Sequence, residues 1–267
     1  MSAIGRHVSK LTGYAPALPT PFSAEGDIDI PAFEQFCDLQ LAHGATALIV
    51  CGTTGEAPTL TPEEQRLLIR IAADRTRRRI PVIAGAGANA TAHAIELARD
   101  AEAAGADAVL SVVPYYNKPM QAGLYAHFRA IAESTGLPII LYDVPLRTAC
   151  GLSDHTVARL AELPRIIGLK DAAGDATRPA RLRPLVGTNF RLLSGEDAFR
   201  ETNPVRLKQA LALLGLMSSA VRLPLVGLSE PHRLELSEVL FRMCHEHAQH
   251  MIGSFETAPP CLRVAVG

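Results

Sequence analysis

Apolar residues along this chain follow two rhythms. Short runs rich in Val, Ile and Leu, apolar at successive positions, recur at residues 14–18, 47–51, 81–85, 108–113, 138–142, 166–170 and 191–194. Between them lie longer amphipathic stretches at 30–43, 63–77, 92–104, 121–135 and 153–163. The first rhythm predicts strands buried on both faces, and the second predicts helices. The punctuation agrees. Thr61-Pro62-Glu63-Glu64 reads as a capped helix start with proline just inside, and Thr91 as a cap before an Ala-rich helix. Gly44, Gly105 and Gly136 fall where helices should stop.

One helix between successive strands, repeating roughly every 25–35 residues, predicts a parallel sheet. No dinucleotide fingerprint is present, which favours a TIM-type (β/α) barrel over a doubly wound sheet. Gly85-Ala86-Gly87-Ala88-Asn89 imitates a phosphate loop but lacks the third glycine and the distal acid, so it reads as a barrel-top turn. After Ser194-Gly195-Glu196-Asp197 the alternation stops, and Glu196-Asp197 reads as helix-start charge. From residue 203 onward the pattern is helical, at 204–215 and 230–250, and Pro224 and Gly227 interrupt the apolar piece at 223–228. The expected organisation is therefore a truncated α/β barrel of about seven strands over residues 1–198, a C-terminal helical region over 199–250, and an irregular tail over 251–267.

Composition narrows the possibilities. The 267 residues are 48% apolar, enough for a sizeable core, and a net charge of −1 gives no support to a nucleic-acid partner. No stretch is apolar enough to span a bilayer, and the start lacks the basic-then-apolar pattern of a leader, so a cytoplasmic protein without a membrane partner is expected. The five cysteines form no Cys-x-x-Cys pair, which predicts reduced, mostly buried thiols. Cys244, His245, His247 and His250 could suggest a metal site. On a helix, however, 247 and 250 share a face while 245 points away, so a solvated helix end is expected and no metal.

Barrel chemistry is carried by the C-terminal ends of strands, and the polar residues of this chain collect there. Only four lysines are present, and Lys10, Lys118 and Lys208 stand in polar or turn-rich surroundings. Lys170 instead ends the run Arg165-Ile166-Ile167-Gly168-Leu169-Lys170, where desolvation favours a neutral, nucleophilic amine. A lysine snorkelling from a strand end is the plainer reading of that residue alone. The strand at 47–51 runs into Gly52-Thr53-Thr54-Gly55-Glu56, whose hydroxyls and glycines suit a small carboxylate. Three of the five tyrosines, Tyr115, Tyr116 and Tyr142, fall at the ends of the strands at 108–113 and 138–142, and a phenol can relay protons. Arg147, just past Tyr142, offers a bidentate fork to a carboxylate.

Four motifs in order, Gly52-Thr53-Thr54-Gly55-Glu56, Pro114-Tyr115-Tyr116-Asn117, Tyr142 through Thr148 and Gly168-Leu169-Lys170-Asp171, resemble the signatures of the 4-hydroxy-tetrahydrodipicolinate (dihydrodipicolinate) synthase family. That family belongs to the pyruvate-dependent class I aldolases, and Arg147 with Tyr116 places the chain nearer the synthase than the N-acetylneuraminate lyase branch. The resemblance implies that Lys170 forms a Schiff base with pyruvate and Tyr142 carries protons. It implies that Thr53 links Tyr142 to a Tyr116 lent by a neighbouring subunit. Thr54 would hold the pyruvate carboxylate, Arg147 the carboxylate of aspartate semialdehyde, and Gly195 would line the pocket. No cofactor or metal is implied, and the partners are two small molecules and further copies of the chain in a dimer or tetramer. Asp143 stands where the family usually has asparagine, and Leu146 where it often has a small polar residue. The helix, eighth strand and most of a further helix that the family carries are absent between Ala198 and Phe199. Two other readings stay open: a related aldolase or dehydratase of another aldehyde or sugar acid, and a truncated paralogue without turnover.

Overall fold

The structure, a computed structural model, describes residues 11–195 and 202–250, with side chains as far as residue 243. Six parallel strands form one sheet in sequence order: β1 (Leu48–Val50), β2 (Val82–Gly85), β3 (Ala108–Val112), β4 (Ile139–Asp143), β5 (Ile166–Asp171) and β6 (Arg191–Ser194). The helices are α1 (Ile30–Ala42), α2 (Pro62–Thr76), α3 (Thr91–Ala103), α4 (Gln121–Ser134), the single turn α5 (Pro145–Thr148), α6 (Asp154–Ala161), α7 (Arg178–Val186), α8 (Val205–Leu213) and α9 (Glu230–His250).

The stretch at 14–18 takes its predicted place beside β1. Thr46 N–H donates to Tyr14 O at 2.8 Å, Ile49 N–H to Pro16 O at 2.9 Å, and Leu18 N–H to Ile49 O at 2.8 Å. It forms only the single parallel bridge Ala17–Ile49, because Pro16 has no N–H to give the ladder. The count is thus seven extended segments side by side. Among the described residues nothing pairs with the outer edge of β6 or of the 14–18 stretch. Among the described residues the sheet is a barrel left open at one seam.

Alternation builds the interior. Ala47, Ile49, Ile83, Ala108, Leu110, Ile140, Tyr142 and Ala172 cluster on the inner face. The residues between them, among them Leu48, Val82, Val109, Leu141 and Leu169, are just as buried on the face that the helices cover. Thr61 caps α2 as predicted: its side chain accepts from Glu64 N–H while Glu64 accepts from Thr61 N–H. Gly44 and Gly105 close α1 and α3 with φ of +78° and +95°.

Several expectations are corrected. Ala90, not Thr91, precedes α3 as its cap, and the Thr91 hydroxyl lies 2.9 Å from His127 Nδ1 instead. Gly136 does follow the end of α4, as expected, though after the extended Thr135 and without a left-handed turn. Helix α7 was not foreseen, because six of its nine residues are arginine, proline or alanine and Pro184 lies inside it. A further correction concerns a lysine. Lys208, expected in polar surroundings, is fully buried.

The chain divides into two compact units, residues 1–18 with 37–198 and residues 19–36 with 199–267. The first holds the whole sheet. In the second, Phe22 is fully buried between two cations, Lys208 Nζ at 4.2 Å and Arg222 Cζ at 4.3 Å from its ring centroid. Lys208 also donates to Ala220 O at 2.7 Å, and Arg222 to Gly26 O at 2.9 Å. A carbonyl and an aromatic face thereby replace the water that the buried ammonium has lost. Among the described residues no helix is long and apolar enough to cross a membrane. The candidate histidines 245, 247 and 250, the Glu196-Asp197 pair and the tail at 251–267 lie outside the described side chains.

Candidate active site

Strands β4 and β5 are paired so that Tyr142 faces Lys170 and Asp143 faces Asp171. Successive residues of a strand point to opposite faces, so the first pair meets on the inner side. Lys170 Nζ lies 4.8 Å from the centroid of the Tyr142 ring. Tyr142 is buried, 7% exposed, and Lys170 is half-buried. Gly195, at the end of β6, completes this corner: a Cβ there would stand 2.8 Å from Lys170 Cε and 3.0 Å from its Cγ. Glycine at 195 is what lets the lysine stem lie along β6.

The end of β1 is shaped by equally close approaches. A Cβ on Gly85 would overlap Cys51 O at 2.0 Å, and one on Gly55 would press Cys51 N and Leu18 O at 3.2 Å. Cys51 and Glu56 both take left-handed backbone, with φ of 54° and 56°, so the chain turns sharply on either side of the two threonines. Thr54 is buried and Thr53 half-buried. Both sit where a strand end of the barrel delivers them, beside the bridge to the 14–18 stretch.

The remaining predicted residues lie farther out. Tyr116 is 87% exposed and held with φ of 72° in the loop after β3, where Asn117 Nδ2 donates to Asn89 O at 2.9 Å. Arg147 lies exposed on α5, beside Leu146, which is 93% exposed. The chain therefore brings Lys170, Tyr142 and Gly195 together by itself, presents Thr53 and Thr54 at the end of β1, and leaves Tyr116 and Arg147 exposed.

Behind the site lies a cluster that the sequence reading missed. Arg178, the first residue of α7, is 4% exposed. It donates to Asp143 Oδ2 at 2.8 Å, Asp171 Oδ1 at 3.1 Å, Asp154 Oδ1 at 3.1 Å and Leu152 O at 2.6 Å. Burial works against its charge, and the bonds and charges of these carboxylates more than offset that, so its pKa stands above the ordinary value. Burial pushes the Asp143 carboxyl up, with Arg178 pulling the other way, and Asp143 Oδ1 has no hydrogen-bond partner among the described residues. The signal in the sequence was an acid directly after each of two strand-end residues, with arginines clustered a few positions on.

A lysine amine beside a phenol at the mouth of a (β/α) barrel, with two threonine hydroxyls at the end of β1, fits an enzyme of the class I, Schiff-base aldolase type. Comparison with known proteins agrees. The chain belongs to the dihydrodipicolinate synthetase family, whose model matches residues 10–202. It is 40% identical to the 4-hydroxy-tetrahydrodipicolinate synthase of Dechloromonas aromatica, over 84% of this chain and 95% of that one, and 41% identical to that of Aromatoleum aromaticum, over 82% and 94%. Among solved structures it is similar to the pyruvate-complexed dihydrodipicolinate synthase of Acinetobacter baumannii, with a TM-score of 0.84, 36% identity and coverage of 87% of this chain and 98% of that one. The match with the Dechloromonas relative runs over 277 positions but takes up 84% of these 267 residues, about 224, so about 53 of its positions have no counterpart here.

Proposed function

We propose that this chain condenses pyruvate with aspartate semialdehyde to 4-hydroxy-tetrahydrodipicolinate, a step of lysine and diaminopimelate synthesis in the cytoplasm. The observation that carries this reading is the Lys170 amine held 4.8 Å from the Tyr142 ring centroid at the mouth of a parallel barrel. Lys170 attacks the keto carbon of pyruvate, and loss of water leaves an iminium. The iminium withdraws electrons, the pyruvate methyl gives up a proton, and the resulting enamine attacks the aldehyde carbon. The amino group of the semialdehyde then displaces Lys170 as the ring closes, which returns the free amine.

Tyr142 would carry the protons of imine formation, with Thr53 as the next group in a relay. Thr54 suits the pyruvate carboxylate, Arg147 the carboxylate of the semialdehyde, and Gly195 leaves the lysine room. The exposed Tyr116 fits a residue given to the site of a second copy, and so a homo-oligomer. A second reading rests on the open seam between β6 and the 14–18 stretch: a subunit that assembles with complete copies and does not turn over.

Reductive trapping separates the two. With pyruvate and borohydride, a covalent pyruvyl adduct is expected on Lys170 and is expected to vanish in Lys170→Arg. A well-folded chain that gains no mass at Lys170 would sink the enzymatic reading and leave the assembly role.

A further inference from the structure

Tyr142 and Lys170 come from different strands, so their meeting depends on the register of β4 against β5. A slip of one residue would turn one of them to the outer face, because side chains alternate with a period of two. The register is not fixed from the start of the ladder. Ile139 pairs with Ile166, but Ile140 pairs with Gly168, so Ile167 is skipped and the strands shift past one another. Below the site, then, these strands already show two registers. Something at their C-terminal ends must hold the second.

We infer that Arg178 is a positioning residue for the Schiff-base step, clamping Asp143 and Asp171 together from the outer face so that Tyr142 and Lys170 face each other within. The inference rests on the proposed function above. Asp143 directly follows Tyr142, Asp171 directly follows Lys170, and the two acids are register partners in their own right. A single nitrogen, Arg178 Nη1, donates to both, at 2.8 and 3.1 Å. The other two nitrogens anchor the guanidinium to Asp154 and to Leu152 O on the chain around α6, so the clamp has a fixed base. Asp143 Oδ2 also accepts from Leu152 N–H at 3.1 Å, and Asp171 Oδ1 from Ala173 N–H at 3.0 Å, which orients both carboxylates.

The position of the arginine points the same way. A cation at the first residue of a helix opposes the helix dipole, which favours anions there. Arg178 occupies that position on α7 because three carboxylates face it. Its planar fork reaches several acceptors at fixed angles, which a lysine ammonium cannot do.

The test measures the initial rate of pyruvate adduct formation on Lys170 by borohydride trapping, expressed per folded molecule with the folded fraction read by circular dichroism. We expect the rate to fall about 100-fold in Arg178→Ala and about tenfold in Arg178→Lys, the scale of a reacting group misplaced by about an ångström. Guanidinium at tens of millimolar should restore part of the Arg178→Ala rate. Asp143→Asn, which keeps an acceptor for the fork, should retain most of its rate. Folded Arg178 variants that form the adduct at the wild-type rate would overturn the inference, since a purely structural arginine would lower the folded fraction alone. Should Arg178→Ala fail to fold, the Arg178→Lys rate decides the matter in the same way. Absence of an adduct in the wild-type chain would instead remove the proposed function, and the clamp with it.

Discussion

Strands β4 and β6 are both parallel strands, yet Ile139–Asp143 is buried from end to end while Arg191–Ser194 is half-buried and ends exposed. The difference lies in the neighbours. β4 has β3 on one edge and β5 on the other, whereas among the described residues β6 has β5 alone. An apolar run in an α/β sheet becomes dry core only when both edges and both faces are covered. The site draws on both kinds of strand: Tyr142 comes from the closed part, Gly195 from the open seam, and Lys170 from β5 between them.

The largest effect should come from truncating the two strands in turn. Leu141 is fully buried in β4, so Leu141→Ala should cost about 3 kcal/mol from lost burial and the cavity left behind. Leu193, half-buried in β6, should cost about 1 kcal/mol or less. Urea unfolding midpoints with matched slopes measure both. Equal losses would break the comparison and show that in solution something covers the edge of β6.

Acid should discriminate in the same direction. His127 lies buried on α4, the helix that leads into β4, with Nδ1 bonded to the Thr91 hydroxyl and no hydrogen-bond partner for Nε2 among the described residues. Burial pushes its pKa from 6.5 down to about 4. Between those values the unfolded chain binds a proton that the folded chain refuses. The stabilisation is therefore complete above pH 6.5 and drains away as the pH falls toward 4. We expect a loss of about 2 kcal/mol over this interval, allowing for partial solvent screening of the ring. The loss should be absent in His127→Gln. An identical pH profile for the two proteins would show that this layer is wetter than its burial indicates.

The sheet was legible in the sequence because each strand has both apolar periodicity and a following turn signal. Even the weak first segment at 14–18 could be placed, since Pro16 interrupts its pairing without removing its apolar character. The Lys170–Tyr142 pair was legible because both residues end apolar runs. Lys208 shows how far such reasoning reaches. It too sits among leucines, in Leu207-Lys208-Gln209-Ala210, and is more deeply buried than Lys170, but its ammonium is held by Phe22 and a carbonyl. Burial of a lysine does not by itself mark a nucleophile, and what sets Lys170 apart from Lys208 is its strand-end position and the phenol beside it. Arg178 was illegible for a different reason. Its helix has no apolar stripe to announce it, and its partners come from three separate elements that only the register of β4 and β5 brings together.

Gly195→Ala makes the smallest change and tests the seam most directly. The backbone there accepts an alanine, because its φ lies outside the left-handed region. The new methyl would stand 2.8 Å from Lys170 Cε, 3.0 Å from its Cγ and 3.4 Å from Ala172 Cβ. Its closest contacts are to the flexible lysine stem rather than to backbone, so the stem can rotate away, and β6 can yield on its unpaired side. Stability should therefore change by no more than about 0.5 kcal/mol. The amine, however, would leave its place over the Tyr142 ring, and the rate of pyruvate trapping should drop about tenfold, about 1.4 kcal/mol in the barrier. A loss of stability as large as that of Leu141→Ala would mean that β6 is held as firmly as β4. A fully stable variant trapped at the wild-type rate would mean that the lysine reacts from a rotamer that does not lie against Gly195.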